Sequence, residues 1–231
     1  MSTLSESKPL ILSVETATLS GSIALSRGEE IMAALAADSG VSHSNTLLND
    51  IDQLLSETQV DLSEIDLFAV ATGPGSFTGL RIGIATVKAL SATLDRPCVG
   101  IPTLHAVALA AGSSARSVAL LPAGRGEVFA QLFSVTRDGV VTELDKATHI
   151  SPQRLLEKYN SLESVLWCGE GAIVNKAIFE GDSRWQIAPQ EPILATHVAS
   201  LALAKFLEKE FEEPDALHAI YVRPSDAELK V

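Results

Sequence analysis

The chain has 231 residues, 46% of them apolar, with 17 basic against 29 acidic side chains and a net charge of −12. That length suits one large domain or two lobes. The charge argues against a broad nucleic-acid surface of the chain's own, which needs clustered Lys and Arg, but leaves room for a complex whose other subunit holds the nucleic acid.

The first residues are polar, with no apolar core of a signal peptide, and are expected to form a flexible tail over residues 1–9. Residues 10–14 read as a short apolar strand, 15–21 as a polar turn, and 22–26 and 31–36 as two further strands joined through Arg27-Gly28-Glu29. Ser42 or Ser44 can cap a helix running to about Thr58. Its apolar residues, Leu47, Leu48, Ile51, Leu54 and Leu55, fall on one face, with Asn49, Asp52, Gln53 and Glu57 opposite.

Residues 67–71 form an apolar run with the length of a buried strand. Gly73-Pro74-Gly75-Ser76-Phe77-Thr78-Gly79 follows, and then a helix over 80–94, with Thr78 placed to cap it. Glycines let the backbone take positive φ or approach another segment closely, and N–H groups at a helix start can hold an anion. The loop has neither a P-loop ending nor the G-x-G-x-x-G spacing, so a tight strand-to-helix turn stands beside the anion-binding reading. The helix over 80–94 is apolar almost all round and must be covered on more than one side, by the chain itself or by a partner. A strand over 97–101 and a short helix over 103–111 complete a first lobe, 10–112.

The second half, 113–231, repeats this order. Strands are expected over 117–121, 127–135 and 140–144, the last two joined through Arg137-Asp138-Gly139. Ser151-Pro152 opens a helix to Tyr159, 165–168 is a strand, and Gly169-Glu170-Gly171 turns into a helix over 172–180. Thr196 caps a longer helix to Phe211, and 220–222 is extended. Cys98 and Cys168 sit in apolar runs as small buried residues, without a disulfide. No apolar run reaches membrane-spanning length, so no membrane contact and a cytoplasmic location are expected.

Glu15-Thr16, His43-Ser44, the run from Gly73 to Gly83, Arg125-Gly126-Glu127-Val128-Phe129 and the run from Tyr221 to Glu228 resemble, in order, the TsaB (YeaZ) family. This is the Gcp-like non-catalytic paralogue of bacterial tRNA threonylcarbamoyladenosine (t6A) biosynthesis. The resemblance implies an α/β, actin/Hsp70/sugar-kinase-like (ASKHA) fold of two ribonuclease-H-like lobes. It implies a subunit that binds and activates the catalytic paralogue TsaD, works with the ATPase TsaE, and meets tRNA only through the complex. It also implies a four-helix contact built from two helices of each subunit; the same surface could pair with itself, so a homodimer is expected when the partner is absent. The interface expected from it is His43, Leu47, Ile51, Leu54, Leu80, Ile84, Val87 and Lys88, beside the glycine loop. For His43 a local bond at the helix start stands as the alternative.

The chemistry an enzyme would need is thin. The family's catalytic paralogue carries a His-x-x-x-His metal pair whose places here are Thr103 and Val107, with His105 between them. His43, His149, His197 and His218 are isolated, so no metal site is expected. The fold's first strand ordinarily ends in aspartate, where this chain has Glu15. The second lobe's phosphate turn reads Pro122-Ala123-Gly124, where many relatives keep Asp-Ala-Arg. No catalytic residue and no cofactor are therefore expected. The competing reading is an enzyme in its own right, peptidase-like or phosphotransferase-like.

Overall fold

A computed structural model describes residues 8–36 and 43–222. The capping role read for Ser42, residues 1–7 of the expected tail, and the motif residues from Arg223 onward lie outside the described residues, as do the side chains of His43 and Ser44.

Strands β1 (Leu10–Glu15), β2 (Ser22–Arg27) and β3 (Glu30–Ala36) form an antiparallel meander. Helix α1 (His43–Thr58) leads to β4 (Leu67–Gly73), helix α2 (Phe77–Leu94), β5 (Cys98–Pro102) and α3 (Thr103–Ala110). The second half supplies β6 (Ser114–Gly124), β7 (Glu127–Val135), β8 (Val141–Glu143), β9 (Thr148–Ile150), α4 (Pro152–Tyr159), β10 (Val165–Cys168), α5 (Glu170–Val174), α6 (Lys176–Phe179), β11 (Trp185–Ile187) and α7 (Ala195–Leu207). The sheets run β3-β2-β1-β4-β5 and β11-β10-β6-β7-β8, with β9 also on β7. Matching β6, β7, β8, β10 and β11 to β1 through β5 gives one strand order twice, so the repeated order read from sequence is a repeated topology.

Period-two alternation sends neighbouring side chains to opposite sides of each sheet, and the packing follows it. Leu10, Leu12 and Val14 of β1, with Phe68 and Val70 of β4, pack outward under α1 and α2. Ile11, Leu67, Ala69, Val99 and Ile101 face inward onto α3 and α7, which also bury Ala119, Leu121, Phe133 and Val135 of the second sheet. Val118, Leu120, Val128 and Ala130 face away from that layer onto α4, α5 and α6. The molecule is therefore layered helix, sheet, helix, sheet, helix.

Several elements differ from expectation. α7 ends at Leu207, and its N-cap is Leu194; the Thr196 hydroxyl donates to Ile193 O at 2.9 Å instead of capping. The helix read over 172–180 is two short ones, broken at Asn175, whose side-chain amide donates to Gly171 O at 2.8 Å. Strands β9 and β11, three residues each, are too short to show a period. The lobe division at 112/113 separates the sheets but not the packing. Ala195 N donates to Ser22 Oγ at 3.0 Å, Ser13 Oγ donates to Ala195 O at 2.9 Å, and α7 lies on the first sheet. Beyond α7 the chain stays on that lobe: Glu212 pairs with Cys98, Leu217 is buried, and Ile220 N donates to Thr72 O at 2.7 Å, without a strand at 220–222.

Candidate functional site: the glycine joint and the cleft between the lobes

The glycine loop joins β4 to α2 through a cis Gly73–Pro74 bond. Ser76, not Thr78, is the N-cap. Its backbone is non-helical and its Oγ accepts from Gly79 N at 3.2 Å, whereas Thr78 already lies inside the helix with an exposed side chain. The glycines are used for close approach. A Cβ on Gly75 would lie 2.4 Å from Ala17 O, on Gly79 1.9 Å from Thr16 O, on Gly83 2.3 Å from Thr16 Oγ1, and on Gly73 2.6 Å from Ile220 O. Hydrogen bonds fasten the same seam. Ser76 N donates to Ala17 O at 2.7 Å, Thr16 Oγ1 to Gly79 O at 2.8 Å, and Gly73 N to Thr103 Oγ1 at 2.9 Å. The loop is a joint that seats the start of α2 on residues 16–17 and on the returning C-terminal segment, and these N–H groups are already engaged by the protein.

The joint forms one wall of a cleft of about 480 Å³ between the lobes. Phe77, Leu80, Leu121, Pro122, Phe129 and Tyr221 dominate its lining, and among the described residues Glu170 is the one charged side chain that lines it. Phe77 and Tyr221 pack with ring centres 5.2 Å apart, and the Arg81 guanidinium lies 3.8 Å from the Phe77 ring centre on the outside. Glu15, at the end of β1, is fully buried and turned onto its own loop: Oε1 accepts from Thr18 N at 2.8 Å and Oε2 from Thr18 Oγ1 at 2.7 Å. Across the cleft, Glu170 begins α5, and burial pushes its carboxyl above the ordinary range, with a weaker opposing pull from the Leu19 backbone N–H.

The nucleotide and divalent ion that the fold class implies do not fit these residues. Pro122-Ala123-Gly124 brings no carboxylate to the second wall, Glu15 holds Thr18, and among the described residues no Lys, Arg or His lines the cleft to meet phosphate oxygens. Thr103 and Val107, the places where the resemblance leads one to look for a metal pair, are buried, Thr103 holding the glycine joint. Between them His105 lies 2.7 Å from Glu143 Oε1, its ring edge-on to Phe133. His149 sits 2.9 Å from Glu127 in ion-pair range, without hydrogen-bond geometry. Among the described residues no three His, Cys, Asp or Glu side chains are grouped to hold a metal ion, and no helix is long and apolar enough to cross a membrane.

The residues expected at a partner interface divide. Leu47, Ile51, Leu54, Leu80, Ile84 and Val87 are buried in the chain's own core, because the sheet and the α1–α2 contact already take the strongly apolar faces. Lys88 reaches back to Leu217 O at 3.3 Å. The side chain of His43 is outside the described residues. What α2 shows to solvent is a stripe at helical spacing, Thr78, Arg81, Ala85, Ala89 and Ala92, with Thr93 beside its end. Alanine on the outer face explains why the helix reads as apolar all round. On α1, Leu48 is 63% exposed although its neighbours in sequence gave it to the buried stripe. Glu170 was not singled out by sequence, where only the flanking Gly169 and Gly171 signalled a special backbone; Thr16 and Tyr221 entered only as motif residues, without a structural role.

The family model described as TsaD, tRNA N6-adenosine threonylcarbamoyltransferase, matches residues 37–218. The chain is 25% identical over 228 residues to the tRNA threonylcarbamoyladenosine biosynthesis protein TsaB of Bacillus subtilis, covering 95% of this chain and 96% of that one. It is 28% identical over 155 residues to TsaB of Escherichia coli, covering 66% of this chain and 67% of that one. In fold it is similar to a Pseudomonas aeruginosa crystal structure described as an uncharacterized protein with similarity to the peptidase YeaZ, with TM-score 0.81 and 24% identity over 93% of this chain and all of that one. The layered architecture is the two-lobed ASKHA fold. With the Gly73–Gly83 joint and the duplicated strand order in place, the chain belongs to the TsaB (YeaZ) family and carries the domain of the TsaD-type threonylcarbamoyltransferases.

Proposed function

We propose that this chain is an accessory, non-catalytic subunit of tRNA t6A biosynthesis, which binds and activates a TsaD-like catalytic paralogue in concert with a TsaE-like ATPase. The observation that carries the reading is the substitution of chemistry by packing at two places. Thr103 and Val107 stand where the paralogue has metal ligands, and Pro122-Ala123-Gly124 stands where relatives carry charge. A cleft lined by Phe77, Phe129 and Tyr221, with one carboxylate among its described lining residues, supports a binding role better than phosphoryl or acyl transfer. The surface offered to the partner is the exposed face of α2, Arg81, Ala85, Ala89 and Ala92, with Leu48 of α1; small residues there let a facing helix approach closely. In the absence of the partner the same face pairs two copies of this chain. Transfer RNA, repelled by the net charge of −12, is held mainly by the other subunits.

The test is reconstitution of t6A formation from purified components with and without this chain. Product should appear only when the chain and the catalytic paralogue are both present, and the chain alone should turn over neither ATP nor peptide. Ala85→Glu should leave the chain folded and weaken co-elution with the paralogue by at least about tenfold. Full t6A formation without the chain, or turnover by the chain alone, sinks the reading.

A further inference from the structure

We propose that the cleft between the lobes is a binding site for a small organic cation, an amine or guanidinium on an aromatic or branched apolar body, with Glu170 taking the charge and the rings of Phe129 and Tyr221 beside it. The proposal rests on the cleft of the chain alone and not on the reading of α2 as the partner helix.

The cleft holds about 480 Å³, inside the range of roughly 300–1,000 Å³ over which proteins take small organic molecules. Such sites are mostly apolar, with a few polar groups that fix orientation, and this one has that build. Leu80 and Tyr221 come from the first lobe and Leu121 and Phe129 from the second; among the described residues Glu170 is the one charged side chain between them.

That charge sets the class of ligand. Gly169 takes φ +87°, and a Cβ there would lie 2.5 Å from Leu120 O; a Cβ on Gly171 would lie 2.9 Å from Leu120 Cβ. The start of α5 is thus pressed onto β6, which fixes Glu170 beside Leu121 in the cleft wall. Burial disfavours the charged form of Glu170, against a weaker pull from the Leu19 backbone N–H, and no described cationic side chain shares in its stabilisation. The region's other carboxylate differs. Glu15 is buried outside the cleft lining and is met by Thr18 N at 2.8 Å and Thr18 Oγ1 at 2.7 Å. A neutral or anionic molecule in the cleft would strip water from Glu170 and return no charge. A cation returns a charge-assisted hydrogen bond.

The rings favour the same class. A cation is drawn to an aromatic face within about 6 Å of its centre. The rim already shows this, since the Arg81 guanidinium lies 3.8 Å from the centre of Phe77, while Arg81 lines no part of the cleft. Phe77 is thereby engaged, but Tyr221 is 48% exposed at the cleft mouth. Phe129, half-buried on the other wall, has the His149 ring at 5.6 Å, and His149 lies 2.9 Å from Glu127.

The experiment is calorimetric titration of the full chain alone at about 150 mM salt, with three probes of one shape: phenethylamine, 2-phenylethanol and 3-phenylpropionate. Methyl shifts of Leu80, Leu121 and Ala123 read the place of binding. Phenethylamine should bind with a Kd of about 1 mM or tighter, the alcohol at least about tenfold more weakly, and the acid not detectably. Glu170→Gln should bring the amine down to the level of the alcohol. Glu157→Gln, which removes an exposed charge on α4, should leave the amine within about twofold. Phe129→Leu keeps bulk but loses a ring face, and should weaken the amine about threefold more than the alcohol. Equal binding of amine and alcohol, or an amine unmoved by Glu170→Gln, overturns the site. Equal losses in Glu157→Gln and Glu170→Gln assign the attraction to the net charge of −12 and overturn it too. So do shifts outside the cleft, tighter binding of the acid, or no binding up to about 10 mM amine. If a variant does not fold, the three probes on the unaltered chain decide. None of these outcomes depends on the partner, so the proposed function can fail while the site stands, and the reverse.

Discussion

In the first lobe, helices of 16 and 18 residues cover the outer face of the sheet; in the second lobe the same face is covered by three helices of 8, 5 and 4 residues. The strand order is shared, so the difference is in how each outer layer is closed. The short helices are locked from within by aromatic rings. Trp167 stacks on Phe179 at 4.3 Å and meets Trp185 edge-on at 5.5 Å, with Tyr159 at 6.2 Å. The long helices pack with aliphatic side chains and Phe68, and α2 keeps an alanine stripe outward. One copy of the topology closes on itself with bulk, while the other is seated with glycine and leaves a long, smooth flank. Duplication of a fold therefore does not duplicate its surface.

The contrast is most directly broken by removing the bulk. Trp167→Ala should cost about 4 kcal/mol in urea denaturation, within the range for deleting a fully buried aromatic, with lost amide protection concentrated in α4, α5 and α6. Equal loss across α1 and α2 would show that the two outer layers are not independent.

The glycines sharpen it next. Gly79→Ala should cost about 3 kcal/mol, because the new Cβ falls 1.9 Å from the Thr16 carbonyl and the backbone must move; the gain in helix propensity, about 1 kcal/mol, is overwhelmed. Gly126→Ala, in the β6–β7 turn of the second lobe, meets open space and suffers only from its φ of +78°, for about 1 kcal/mol. Thermal melts of the two variants should rank in that order. A reversed ranking would mean that the joint yields more easily than the turn.

The smallest effect is electrostatic and belongs to the shared inner layer. Burial lowers the pKa of His197 on α7 from its ordinary 6.5, against a weaker upward pull from Glu191. A depressed histidine gives its stability in full above the unfolded value and loses it as pH falls through 6.5 toward the folded one, because only the unfolded chain takes up the proton. Stability should fall between pH 7.5 and 5.5, and His197→Gln should fall less over the same range. An identical fall in both would remove His197 from the account.

Much of the architecture was legible in the residues. The apolar runs 10–14 and 67–71 read as buried strands, and the two halves announced the same order of elements. Contact across the molecule was not legible. Ile84 and Val87 read as partner-facing because a periodic pattern says that a face is covered, not by what; here the sheet covers it. Ser76 and Thr78 both have capping hydroxyls, and only the backbone angle at 76 separates them. Glu170 looked like an acidic residue in a glycine turn, since the residues that line the cleft with it lie far away in sequence. The assignment of α7 to the first sheet rests on Ser13 and Ser22, two small hydroxyls in strands that sequence gave no reason to notice.

That return of α7 has a consequence for synthesis on the ribosome. The inward face of the first sheet, Ile11, Leu67 and Val99 among others, is complete in sequence by β5, but part of its cover arrives only with Ala195–Leu207. The lobe that emerges first is finished last, and while the second lobe is being made it exposes a sticky sheet face of the kind that holding chaperones protect. Translation stopped before Ala195 should therefore yield nascent chains that recruit such chaperones, whereas stopping after the C-terminal segment has returned to Thr72 should release them.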